Sequence, residues 1–75
     1  MAENLTRAVA SEIRAEMARR EMTQQALAPL IGMSQQALSR RLRGEHPFDT
    51  AELERVANAL GVPVAEFLPA SERVA

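Results

Sequence analysis

Residues 23–45 read TQQALAPLIGMSQQALSRRLRGE, and this stretch decides the fold. Thr23 and Ser34 are helix-capping residue types. Each follows a methionine (Met22, Met33) and precedes a leucine by four positions (Leu27, Leu38). A capping side chain flanked by apolar residues at N′ and N4 is the hydrophobic staple, which fixes how a chain turns into a helix. Gly32 and Gly44 stand just beyond the apolar segments, where a left-handed residue closes a helix. The spacing predicts two short helices, about 24–31 and 35–43, joined by Ile31-Gly32-Met33.

The same punctuation recurs outward from there. Asp49 lies between Phe48 and Leu53 and has Glu52 at N3, a capping box in its Asp form. It opens a helix predicted over about 50–60, whose Leu53, Val56, Ala57 and Leu60 form one apolar stripe, closed by Gly61. Upstream, Leu5, Val9, Ile13 and Met17 repeat every fourth residue and predict a helix over about 5–20. Its other face carries the pairs Glu3–Arg7 and Glu16–Arg20. Val62 and Phe67 flank Glu66 around Pro63, a weaker start for a fifth helix at 64–68, and the tail 69–75 is expected to fray. No segment alternates with period two. The expectation is one all-α domain over 1–75 with five helices. Its core is Val9, Ile13, Met17, Leu27, Ile31, Leu38, Leu42, Leu53, Val56, Leu60 and Phe67.

Composition narrows the function. The 75 residues are 47% hydrophobic and 25% charged, globular proportions large enough for one small core. There is no cysteine and one histidine, His46, so neither a disulfide framework nor a multi-histidine metal site can form. No cofactor, catalytic residue or small-molecule ligand is indicated, because no acid/base pair, lysine or phosphate loop is present. No apolar run approaches the roughly 18 residues of a membrane span, and MAENLTRAVA is not a secretory signal, so the default compartment is cytoplasmic. Two phenylalanines are too few for a base-stacking platform. Net charge is −1, yet the positive charge is focused. Residues 35–48 hold Arg40, Arg41 and Arg43 against Glu45, and the nine residues from Gln35 to Arg43 contain no acid. A basic stripe on a nearly neutral body can steer a polyanion whatever the overall balance.

Two short helices joined by a tight glycine turn are the anatomy of a helix-turn-helix, here at 24–43. Residues 23–45, the run ELERVANALGVPVAEFL (52–68) and IRAEMARR in the first helix together resemble the phage-repressor/Cro family of transcription regulators, the xenobiotic-response-element type. The resemblance covers roughly residues 9–68 and implies a lambda-repressor-like fold that binds double-stranded DNA. In the helix at 35–43, Ala37, Leu38 and Leu42 form an inward side. Gln36, Ser39, Arg40 and Arg43 form an outward stripe, with Gln35 beside it. Glutamine pairs bidentately with adenine and arginine with guanine in the major groove, the only groove wide enough for a helix. The plainer alternative is a solvated polar face whose arginines complement the helix C-terminus.

The resemblance places Gln35, Gln36 and Arg40 where family members read bases, with Ser39 in the same stripe. It places Gln24 and Arg43 at phosphate, with Arg41 and Ser34 as further phosphate candidates, although Thr23 and Ser34 are capping residues first. Arg14, Arg19 and Arg20 read as a solvated face of the first helix, from which one could graze the DNA backbone, and His46 as a loop residue. Three departures stand out. Pro29 lies inside the second helix and is expected to bend or tighten it. Arg41 occupies a position that the family usually keeps apolar. Met17 and Leu42 replace an Arg–Glu pair, so a packed contact is expected in its place. The favoured function is a sequence-specific DNA-binding regulator, a repressor by family habit, acting on a palindromic operator as a weak homodimer through Val64, Phe67 and Leu68. The competing reading is a protein-interaction module on the same fold, an antitoxin or a scaffold component.

Overall fold

The computed structural model describes residues 2–69, with side chains from Leu5 onward. Most of the expected fraying tail (70–75) and the side chain of Glu3 therefore lie outside the described residues. The chain forms four α-helices: α1 (Ala2–Arg19), α2 (Gln24–Leu30), α3 (Gln35–Leu42) and α4 (Thr50–Leu60). No strand occurs among the described residues. The expected fifth helix is instead a four-residue 3-10 turn, Val64–Phe67. Pro63 precedes it without a side-chain cap, and the bonds that form are of i→i+3 type, Glu66 N–H to Pro63 O at 3.0 Å and Leu68 N–H to Ala65 O at 3.1 Å. Four residues cannot nucleate an α-helix unaided, but they suffice to drive Phe67 into the interior.

The helix starts follow the capping chemistry. Thr23 Oγ1 accepts from Ala26 N–H and Ser34 Oγ from Ala37 N–H, each at 3.1 Å. Asp49 Oδ1 accepts from Glu52 N–H at 2.7 Å while Glu52 Oε1 accepts from Asp49 N–H at 3.0 Å, so the capping box is complete. All four helices stop in Schellman motifs. The closing bonds are Met22 N–H to Met17 O at 2.9 Å, and Met33 to Ala28, Glu45 to Arg40 and Val62 to Ala57, each at 3.0 Å. Three of the left-handed residues are glycines, but the fourth is Glu21, at φ 53°. An L-residue held there costs about 1–2 kcal/mol, and this stop carried no glycine to signal it. Pro29 lies inside α2. The helix ends one residue later in a tightened turn, where Ile31 N–H is shared between Leu27 O at 3.3 Å and Ala28 O at 3.2 Å.

α2 packs on α3 and α4, α1 packs on α3 and the 3-10 turn, and α4 also meets that turn. Every residue expected in the core is buried except Leu53, which is half-buried against it. Ala10, Ala28 and Ala57 complete the core and allow close approach of the helices. The staple residues Met22, Met33 and Phe48 pack on its rim.

Arginines tie the helix ends together. Arg14 Nη1 donates to Leu42 O at the end of α3, Arg20 Nε to Leu60 O at the end of α4 at 2.8 Å, and Arg55 Nε to Ile31 O just past α2 at 3.1 Å. A guanidinium at a helix C-terminus satisfies an orphan carbonyl and complements the dipole. Arg14 and Arg20 are thus fasteners between helices rather than a merely solvated face. Glu16, buried on α1, accepts from Arg20 and from Arg19, the latter at 2.6 Å.

Candidate nucleic-acid interface

α3 presents two chemically opposite faces. Leu38 and Leu42 are buried beneath it. Gln35, Gln36, Arg40 and Arg43 are exposed and Ser39 is half-exposed. Gln36, Ser39, Arg40 and Arg43 border one shallow hollow of about 330 Å³, so the stripe inferred from helical spacing is contiguous in space. Nothing apolar interrupts it. This is a polar, cationic ridge that a groove lined with base edges and flanked by phosphates could receive.

The three arginines of this helix sit in different circumstances. Arg40 is exposed on the ridge. Arg43 is held in place: Nε and Nη2 donate to the two carboxylate oxygens of Glu45 at 2.8 and 3.2 Å, and Nη1 donates to Ser39 Oγ at 2.6 Å. The hydrogen bond to Glu45, then its charge, pushes the Arg43 guanidinium above its ordinary pKa. Reciprocally, the hydrogen bond from Arg43 holds Glu45 below the usual glutamate range. Arg41 turns toward the body. Nε and Nη2 donate to both oxygens of Glu52 at 3.0 and 3.2 Å, and Nη1 to Ala37 O at 3.1 Å. Its donors are engaged inside the protein, which does not fit the phosphate contact expected for it.

Among the other expected positions, Ser34 uses an oxygen lone pair to cap α3, and its hydroxyl proton remains available to an acceptor. Gln24 is half-buried beside a second hollow of about 290 Å³ that also meets Arg14, Met22 and Thr23. Met17 and Leu42, which stand where an ion pair was expected to be replaced by packing, are both buried in the core and both border this hollow. Arg14, one of the three arginines expected on the exposed face of the first helix, stands at its rim. Of the residues expected at a dimer contact, Phe67 is 0% exposed and belongs to the protomer's own core. Val64 and Leu68 are half-buried. Leu68 borders a groove of about 170 Å³ with Leu5, Val9, Phe48 and Leu53.

No group of three or more His, Cys, Asp or Glu among the described residues could hold a metal ion. No helix among the described residues is long and apolar enough to cross a membrane. A helix-turn-helix family model matches residues 13–67, which is most of the chain and includes all of α2, α3 and α4. The chain belongs to the Cro/C1-type helix-turn-helix family. That is a family of DNA-binding transcription regulators, not of enzymes, and its partner is double-stranded DNA. No curated protein matches the chain.

Proposed function

We propose that the protein is a sequence-specific transcription regulator, a repressor, that lays α3 in the major groove of a palindromic operator. Gln35, Gln36, Ser39 and Arg40 read base edges, while Arg43, Gln24 and the Ser34 hydroxyl meet phosphate. The observation that carries this reading is the unbroken polar face of α3, an amide-and-guanidinium ridge backed by the buried Leu38 and Leu42.

Two copies fit such an operator, with one α3 in each half-site. Successive major-groove half-sites lie about 34 Å apart, and the protomer, 31 Å along its longest axis, is small enough for a two-fold pair to place its recognition helices at that spacing. One α3 meets only a few base pairs, and a short stripe of arginines on a chain of net charge −1 supplies little affinity alone. The half-buried Val64 and Leu68 and the adjoining apolar groove form a small contact, so the dimer is weak in solution and reinforced by the operator.

Selection of duplexes from a random library tests the reading. The expected result is a palindromic motif with half-sites one helical turn apart. Sedimentation of DNA-free protein at micromolar concentration is expected to show monomer or a rapid monomer–dimer mixture. Tight one-to-one binding to an isolated half-site, with no gain from the second, refutes the dimer. Failure to enrich any duplex favours a protein-interaction module.

A further inference from the structure

α3 is eight residues long and buries two large side chains, Leu38 and Leu42. Four residues apart, they lie nearly on one line along the helix. Such a line sets depth and tilt but resists rotation about the helix axis poorly. The angle of that rotation decides where the outward residues point. A roll of about 15° displaces an atom about 6 Å from the axis by roughly 1.5 Å, more than a hydrogen bond accommodates.

Arg41 lies about 60° round the helix from Leu38, on the side away from Ser39. Its guanidinium grips both oxygens of Glu52 across an eleven-residue separation and also holds Ala37 O, one turn back on its own helix. Glu52 Oε1 simultaneously closes the capping box of α4 through Asp49 N–H. The pair is largely withdrawn from solvent, at 15% and 12% side-chain exposure. We infer that Arg41 and Glu52 are positioning residues that set the roll of α3 against the start of α4, and thereby the aim of Gln36 and Arg40 at the bases. The inference rests on the DNA-reading role of α3 and adds a specificity device that touches no DNA.

Arg41→Lys is the decisive variant. Lysine keeps the charge, and so any contact with phosphate, but cannot make the two-toothed grip. Arg41→Met and Arg41→Met/Glu52→Gln accompany it, the double variant leaving no unpaired charge should the single one unfold. Affinity is measured for the duplex that the wild-type chain enriches from a random library and for a scrambled duplex, at a temperature where each variant is folded. Each variant is expected to lose about tenfold on the enriched duplex, to stay within about twofold on the scrambled one, and to keep the salt slope. Wild-type affinity in Arg41→Lys, with equal losses on both duplexes and a salt slope lower by about one in Arg41→Met, makes Arg41 a phosphate contact and overturns the inference. A lowered melting temperature with an unchanged ratio between duplexes overturns it in favour of structural support alone. If Gln36→Ala also leaves that ratio unchanged, the base-reading role of α3 falls, and this inference with it.

Discussion

Two arginine–glutamate pairs, one from the last turn of α3 and one from its C-cap residue, share their chemistry and differ in everything else. Arg41–Glu52 and Arg43–Glu45 are both two-toothed, with N···O distances of 3.0 and 3.2 Å in the first and 2.8 and 3.2 Å in the second. The first joins two helices at 15% and 12% side-chain exposure, while the second joins near neighbours in sequence at 55% and 54%. Water competes weakly for the first and strongly for the second, so the first can act as a strut and the second only as a latch that another anion can open. A DNA phosphate offers Arg43 the same planar, two-oxygen recognition that Glu45 offers. If Arg43 meets phosphate as proposed, Glu45 competes with that phosphate for it.

Breaking each pair at its carboxylate tests that contrast most directly. Glu52→Ala strands Arg41 and opens the capping box, and is expected to cost roughly 2–4 kcal/mol in urea unfolding. Glu45→Ala is expected to leave the unfolding midpoint unchanged. Equal effects would show that exposure does not separate the two. On DNA, Gln36→Ala or Arg40→Ala is expected to lose roughly 1–3 kcal/mol on the preferred duplex and little on random sequence. Arg43→Ala is expected to weaken both alike and flatten the salt slope by about one. Insensitivity of binding to all three changes would favour a protein-interaction module.

Helix ends offer a control that leaves both pairs intact. Glu21→Gly relieves the left-handed strain after α1 and is expected to raise stability by about 1 kcal/mol, a shift of roughly 4–8 °C in Tm for a domain of this size. A fall in Tm would mean that the Glu21 side chain contributes more than its backbone angle costs. The smallest expected effect belongs to the latch. Glu45→Gln is expected to raise affinity a few-fold on preferred and random duplexes alike, because Arg43 no longer has to exchange one anion for another. The hydrogen bond from Arg43 lowers the Glu45 pKa, so the carboxylate stays ionised above the usual glutamate range and its competition with phosphate is lost only as pH falls below it. The difference between wild type and Glu45→Gln is accordingly expected to stay constant between about pH 5 and 8. A change in that difference across the window would assign the competition to another group.

Local signals were read where their physics is local. Thr23, Ser34 and Asp49 cap the helices that they open, and the apolar stripes enter the core, because both depend on spacings of three or four residues. Leu53 was legible as apolar but not as half-exposed. It borders the groove beside Leu5 and Leu68, and no periodicity within one helix tells which edge of a stripe its neighbours leave uncovered. α1 ends at Arg19, one residue before the expected end, with Glu21 rather than a glycine in the left-handed turn, and it begins at Ala2, three residues before the expected start. The sequence of the 3-10 turn imitates a helix start because an apolar pair around Pro63 has the spacing of a staple without supplying a cap.

On the candidate site, the composition of the outward face of α3 was legible because helical geometry alone separates Gln36, Ser39, Arg40 and Arg43 from Leu38 and Leu42. The assignments of individual arginines were not. The sequence by itself determined where α2, α3 and α4 begin, since a cap finds its partner within one turn of the chain. Tertiary structure alone decided that Arg14, Arg20 and Arg55 fasten the ends of other helices and that Arg41 turns inward to Glu52. A guanidinium carries five donors on a long flexible stem. Which acceptor it finds is settled only when packing brings carbonyls and carboxylates from distant parts of the chain within its reach, and that assembly leaves Arg40 on the exposed ridge and Arg43 behind an exchangeable latch.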